Sequence, residues 1–213
     1  MGYRKFASMN VAIIGLCKVC EALAQGLAFA GHEIYIGVTE DDDTSKLDIL
    51  LDEFENINVT SIETAANIAD IIIITAPADD VRKIAYLLND VRKKVIIDAC
   101  AAPKKTTEYS NTVNAIKAIT GTPHVVKCFN CTGYENLLNP GYEEEAIDMF
   151  VAGDSMMGKE IAKFLAKDLG FADCHDFGGS DTIPLLENMA RCWQNLAIRQ
   201  KMGRKIAFKL IRR

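Results

Sequence analysis

The chain has 213 residues, which suits one ordinary domain or one domain with a helical appendage. Apolar residues make up 49%, enough for a proper core, and a net charge of −5 argues against nucleic-acid binding. No apolar run reaches the roughly 18 residues of a membrane span, and no apolar stretch follows the basic residues of the opening MGYRKFASMN, so neither a membrane partner nor a signal peptide is expected.

Residues 10–15 (NVAIIG) read as a buried parallel strand, and a helix follows at once over 19–30, ending at Gly31. Strand 33–38 (EIYIGV), helix 44–54, strand 57–60 and helix 61–68, opened by Ser61, come next. Strand 70–75 (DIIIIT) precedes helix 78–89, and strand 94–99 (KVIIDA) precedes helix 111–119. The runs at 71–74 and 95–97 are rich in isoleucine and apolar on both faces, as strands between two helix layers are. Strands 124–129 (HVVKCF) and 147–152 (IDMFVA) follow. Then come helix 155–168, capped by Asp154 or Ser155 and ended by Gly170, and strand 171–176. A long helix is predicted from about 183 to 211, broken near Gly203. Its Leu185, Leu186, Met189, Cys192, Trp193 and Leu196 recur at helical spacing, to pack on the sheet edge or on a partner subunit.

This alternation predicts an α/β protein: a Rossmann-type, doubly wound, mostly parallel sheet with a C-terminal helical lobe. Residues 1–153 form the dinucleotide-binding domain, and 154–213 form the C-terminal strand and helical lobe, packed with it as one unit. Ligands of such sheets bind beyond the carboxyl ends of the strands, so the loops 15–20, 38–43, 75–80, 98–103 and 129–134 carry the site.

The first loop, Gly15-Leu16-Cys17-Lys18-Val19-Cys20, is a dinucleotide fingerprint in which cysteines replace two of the three glycines. The first glycine permits the tight turn, the second lets backbone approach a pyrophosphate, and the third lets helix and strand pack closely. The helix N-terminus behind the loop still suits an anion, and the same dipole favours thiolate at Cys17. After the second strand, Gly37-Val38-Thr39 runs into Glu40, Asp41, Asp42 and Asp43. No basic residue waits there for a 2′-phosphate. This disfavours NADP and suits NAD, unless the stretch is only a solvated acidic turn that caps the helix near Thr44. Ala76 and Pro77 form a cofactor wall, and Cys100, in Asp98-Ala99-Cys100-Ala101-Ala102-Pro103, is expected near the nicotinamide end.

With these loops placed, the chain resembles the NADP-dependent deazaflavin-coenzyme (factor-420) oxidoreductases, whose relatives include the reductase domain of six-transmembrane metalloreductases. The most specific stretch is residues 126–136, VKCFNCTGYEN, similar to the family's V-K-A-F-N-T-x-G-x-E-N with Cys128 and Cys131 in place of Ala and Thr. Residues 148–154 (DMFVAGD), 166–171 (AKDLGF) and 188–191 (NMAR) also match. The resemblance implies a cytoplasmic homodimer that moves hydride between a nicotinamide dinucleotide, NAD(P)(H), and a stacked flavin-like or deazaflavin ring or a metal-complex acceptor. It implies Gly15, Leu16, Lys18 and Val19 as the phosphate loop, Thr39 at the ribose end, Ala76 and Pro77 as the nicotinamide-side wall, and Asn130 near the ring pocket; Cys17 and Cys100 join the cofactor-binding set by their loops. The Ser-Arg pair with which the family reads a 2′-phosphate is absent, and its Asn-Pro step after the fifth strand has become Ala101-Ala102-Pro103, one residue longer.

Seven cysteines without a secretory signal point to a reducing cytosol, where paired cysteines are more often catalytic, metal-binding or plain core than structural disulfides. Cys17 with Cys20 and Cys128 with Cys131 have the spacing of zinc or iron–sulfur ligands, which defines an alternative: a non-enzymatic or redox-sensing module with a metal on those four. Three strand spacings, roughly 14 Å, separate the two loops in a 3-2-1-4-5-6 order, so a shared site requires both to fold inward. A dithiol pair, or incidental thiols lining an ordinary groove, are the other readings, and Cys20 also reads as a small buried residue. Cys174 and Cys192 read as core. His32, His124 and His175 form no legible acid–base or nucleophile pair, and no catalytic residue is assigned.

Overall fold

The computed structural model describes residues 8–101, 108–143 and 145–213. The residues Ala102 and Pro103 of the extended step lie outside them. The central sheet comprises β1 (Asn10–Ile14), β2 (Glu33–Val38), β3 (Ile57–Ser61), β4 (Ile71–Ile74), β5 (Val95–Asp98) and β6 (Val125–Lys127). All six are parallel, in the order β3-β2-β1-β4-β5-β6. The isoleucine runs explain its centre: every residue of β4 and β5 is buried, because helices cover both faces.

The connecting helices are α1 (Lys18–Phe29), α2 (Asp48–Glu53, after a 3₁₀ turn at Thr44–Leu47), α3 (Ile62–Ile68), α4 (Val81–Leu87) and α5 (Thr112–Thr120). Ser61 accepts from the Thr64 N–H and Asn111 from the Asn114 N–H, each capping a helix start. Gly31, Gly121 and Gly170 take positive φ where helices end.

Beyond β6 the chain forms α6 (Tyr134–Leu138), a small hairpin of β7 (Gly141–Tyr142) and β8 (Glu145–Ala146), β9 (Met149–Val151), α7 (Met156–Asp168), β10 (Cys174–Asp176) and α8 (Ile183–Gln194). The sequence pattern shows neither α6 nor the hairpin, both too short to carry a period. β9 and β10 pair in parallel as a separate two-stranded sheet, tied to the main one by a bridge from Ala152 to Lys127. His32 fastens the sheet's far end: its Nε2 meets Asp168 at 3.0 Å while its Nδ1 accepts from the Met9 N–H.

The expected helix from 183 to 211 stops early. After α8 one π-helical turn (Asn195–Arg199) follows, Lys201 and Gly203 take φ of 58° and 88°, and the chain turns back. Its return is fixed by hydrogen bonds: the Trp193 indole and the Asn136 amide both donate to the Ile206 carbonyl, at 2.6 and 2.8 Å, and the Leu210 N–H donates to Asp148. Cys192 is a second correction. The buried face of α8 is Ile183, Leu186, Glu187, Ala190 and Trp193, which leaves Cys192 exposed.

Three charged side chains are buried together at the carboxyl ends of β5 and β6. Lys127, fully buried, donates to Asp98 at 3.0 Å and to the Thr112 hydroxyl at 3.1 Å. The Thr112 hydroxyl in turn donates to Asp98. Glu187 of α8 stands 3.5 Å from the ammonium as an ion-pair partner whose near oxygen makes no hydrogen bond. Burial alone would lower the Lys127 pKa, but the Asp98 and Glu187 carboxylates outweigh it and the pKa lies above its ordinary value. Removing one partner of such a group strands the other charge, so Lys127→Ala should cost about 3–5 kcal/mol in urea denaturation. Pairing Lys127→Met with Asp98→Asn should recover part of that loss; purely additive losses would contradict the coupling.

Candidate functional site

The strand order reverses between β1 and β4, and the loops leaving them open a cleft of about 570 Å³. Gly15, Leu16, Thr39, Ala76 and Pro77 line it, joined by Asp41, Asp42 and Lys83. Gly15 is there for two independent reasons. Its φ is +106°, and an added Cβ would lie 2.8 Å from the Ala76 backbone nitrogen. Backbone cannot yield as a flexible side chain does.

The two replaced glycines are different. Cys17 is the N-cap residue of α1 at φ −154°, ordinary extended backbone, and its thiol donates to the Thr75 carbonyl at 3.4 Å. The Thr75 hydroxyl reaches back to the Ile14 and Gly15 carbonyls, so the turn is laced to the end of β4. Cys20 is fully buried in the first turn of α1. The helix start keeps its unpaired N–H groups and positive dipole end, and so its capacity for a phosphate. Lys18, at the first position of α1, pairs with Glu21 at 2.6 Å.

At the end of β2, Asp42 Oδ2 accepts from both the Thr39 N–H (2.7 Å) and the Thr39 hydroxyl (2.8 Å). Asp43 caps the 3₁₀ turn by accepting from the Ser45 N–H. The acidic stretch therefore does cap the next helix, and it also presents carboxylates to the cleft.

A second, smaller cavity of about 190 Å³ lies beyond β5 and β6, lined by Val19, Ala99, Asn130, Tyr134, Trp193 and Arg204 among others. Phe129, just before Asn130, has φ +62°, an uncommon state for an aromatic residue. Both polar atoms of the Asn130 amide are buried, and neither meets a protein partner. Such a group costs about 1–3 kcal/mol unless a ligand or solvent satisfies it. Arg204, from the returning tail, lies over the Tyr134 ring at 5.3 Å and the Trp193 ring at 5.2 Å and donates to Glu135. Burial pushes the Glu135 carboxyl up, but the Arg204 bond outweighs it and holds the pKa below its usual range.

Of the residues expected at the cofactor, five line the first cleft, and Val19 and Asn130 line the second cavity. Cys17 and Lys18 stand at the helix start near them. Cys100 does neither: it is 1% exposed, its N–H donates to Asp98 and its thiol to the Ile74 carbonyl. The four-cysteine metal site does not form. Cys20 belongs to the core beside α1, while Cys128 and Cys131 sit in the core with Cys174, and Cys131 touches Met149 at 3.7 Å. Among the described residues no group of three or more His, Cys, Asp or Glu is placed to hold a metal ion. Burial pushes the thiols of Cys20, Cys100 and Cys128 well up, and that of Cys131 to about 12. Sequence reading missed Lys127 and Asp98 as a pair, although a lysine in a strand buried on both faces demands a partner.

Residues 10–102 match the model of the family described as NADP oxidoreductase, coenzyme F420-dependent. A candidate F420-dependent NADP-reductase from Arthrobacter sp. shares the fold with a TM-score of 0.81 at 22% identity, over 96% of this chain and 100% of that one. A hypothetical protein from Sinorhizobium meliloti aligns with a TM-score of 0.70 at 21% identity, over 96% of each chain. Prephenate dehydrogenase from A. aeolicus, solved with NAD+, aligns at 0.62 and 17% identity, over 91% of this chain and 65% of that one. No curated protein sequence matches the chain.

Two outcomes follow from this geometry. Gly15→Ala should lower stability in urea denaturation by about 1–3 kcal/mol from the backbone conformation alone, with the Ala76 contact adding to it. In thiol labelling of reduced, folded protein, Cys192 should react first and Cys17 more slowly. The other five should react only after denaturation; rapid reaction of Cys128 or Cys131 would contradict their burial.

Proposed function

We propose that this chain is an oxidoreductase that binds a nicotinamide dinucleotide and passes hydride between it and a flavin-like or deazaflavin acceptor. The observation that carries the reading is a pair of cavities at the carboxyl ends of the parallel strands, each with a prepared group. At one, the Gly15 turn opens a helix start toward a phosphate; at the other, the Asn130 amide is buried without a partner. The match of residues 10–102 to the F420-dependent family supports the same reading.

The residues present fit such a cofactor. Gly15, Leu16 and the first N–H groups of α1 would hold the pyrophosphate, and Ala76 and Pro77 would wall the chain of the dinucleotide. Asn130 offers one donor and one acceptor face, which matches a carboxamide or the edge of a heteroaromatic ring. Tyr134, Trp193 and Arg204 close the second cavity with flat surfaces suited to a ring. The cofactor itself supplies the hydride; the protein orients two rings and excludes water. No strong general base is required, in keeping with the absence of an acid–base pair among the described residues lining the second cavity.

Anaerobic calorimetry of the reduced protein should show micromolar binding of at least one of NADH and NADPH. Asn130→Leu should weaken turnover with a flavin or deazaflavin acceptor at least tenfold while the fold is retained. Failure of both dinucleotides to bind would end the reading.

A further inference from the structure

We infer that the cleft selects NADH over NADPH, with Asp42 and Asp41 as the specificity-determining residues. The inference rests on the dinucleotide reading of the cleft and decides only which dinucleotide enters. It departs from the family description, which names NADP.

The argument is one of charge and of occupied donors. A dinucleotide with its pyrophosphate at the Gly15 turn and α1 start lays its adenosine ribose toward the end of β2. NADPH carries a 2′-phosphate there, close to a dianion at neutral pH. NADH carries a hydroxyl, which donates. The end of β2 offers Thr39, Glu40, Asp41, Asp42 and Asp43, and two of these carboxylates line the cleft. The donors at this position that a phosphate would use are the Thr39 N–H and hydroxyl, and both already donate to Asp42 Oδ2. Lys83 is the only basic side chain lining the cleft among the described residues, and its ammonium stands 3.6 Å from Asp80. Lys46, the basic residue nearest in sequence, faces Asp43 at 3.9 Å. A 2′-phosphate would meet like charge and donors turned away from it. A 2′-hydroxyl would meet a carboxylate whose second oxygen can accept it, held in place by the Thr39 turn.

The test is a parallel calorimetric titration of anaerobic, reduced protein with NADH and NADPH at low and high salt. NADH is expected to bind at least tenfold more tightly at low salt, equivalent to about 1.4 kcal/mol. The gap should narrow at high salt, because screening weakens repulsion of the phosphate. The Asp41→Ser, Asp42→Asn variant, checked for an unchanged melting curve, should bind NADPH more tightly and NADH no better. Equal or tighter NADPH binding by the native protein would overturn the inference and leave the oxidoreductase reading standing. An unchanged NADH-to-NADPH ratio in the folded variant would overturn the assignment to these two residues. Binding of neither dinucleotide would overturn the reading of the cleft and the inference with it.

Discussion

The ion pair between Lys127 and Asp98 is the interaction on which the candidate site depends. Both side chains are fully buried, so each lost its water on folding, and only a close partner makes that tolerable. The pair joins the last residues of β5 and β6 and draws in Thr112 from the start of α5 and Glu187 from α8. The main-chain bond from Cys100 to Asp98 continues the network into the loop after β5. Four elements thus converge on one ammonium, one residue before the Cys128–Cys131 loop begins. Hydrophobic packing alone would hold the strands but would leave the exit angles of both loops free to vary. The bonded charges fix the relative position of the two strand ends from which both loops leave.

The glycine fingerprint separates into three constraints of unequal force. Of the three positions only Gly15 has a positive φ, with backbone so close that a Cβ would clash with it. Cys17 replaces a glycine whose role is access for a ligand, and its extended φ is open to any residue. Cys20 replaces one whose role is close helix–strand packing, and a thiol is small enough to be buried there completely. The substitutions therefore leave the turn intact and alter its surface. The thiol of Cys17 turns to the Thr75 carbonyl rather than toward the other cysteines. A shared motif spacing, Cys-x-x-Cys twice, carries no metal site when its two copies lie on opposite sides of three strand spacings and face a core.

The sheet was legible because its centre is written in consecutive isoleucines, which only a strand covered on both faces accommodates. The five cleft residues were reached from the fingerprint turn, from the strand-end loops of an α/β sheet and from the family resemblance, which implied Leu16 and Thr39. The C-terminal lobe was less so. Apolar residues continue at near-helical intervals through Met202, Ile206, Leu210 and Ile211, and a local pattern cannot show that the chain reverses at 200–203. What reverses it is tertiary: the Trp193 and Asn136 side chains compete for the Ile206 carbonyl that a continuing helix would have used. Cys192 failed for a related reason. Apolar periodicity fixes a helix stripe only to within about one residue, and Glu187, recruited inward by Lys127, rotates the buried face away from Cys192. Lys127 and Asp98 were each visible; their pairing across 29 positions was not.

Strain and unsatisfied polarity concentrate where β6 ends. Phe129 sits in the left-handed region at a cost on the order of 1–3 kcal/mol, and Asn130 beside it keeps a buried amide unpaired. Neither persists unless the neighbours over-determine it, and two residues before Phe129 stands Lys127, fully buried and held by Asp98 and Thr112. At the end of β2 the opposite holds: Thr39 is satisfied by Asp42, and Ser45 by Asp43. The first end is held in a costly state that a ligand can relieve, so binding energy is available there. The second is already content, so it can reject a poorly matched ligand but adds little attraction for a good one. If the cleft takes a dinucleotide as proposed, affinity comes from the ring and phosphate positions and selectivity from the acidic turn, so separate substitutions would change the two.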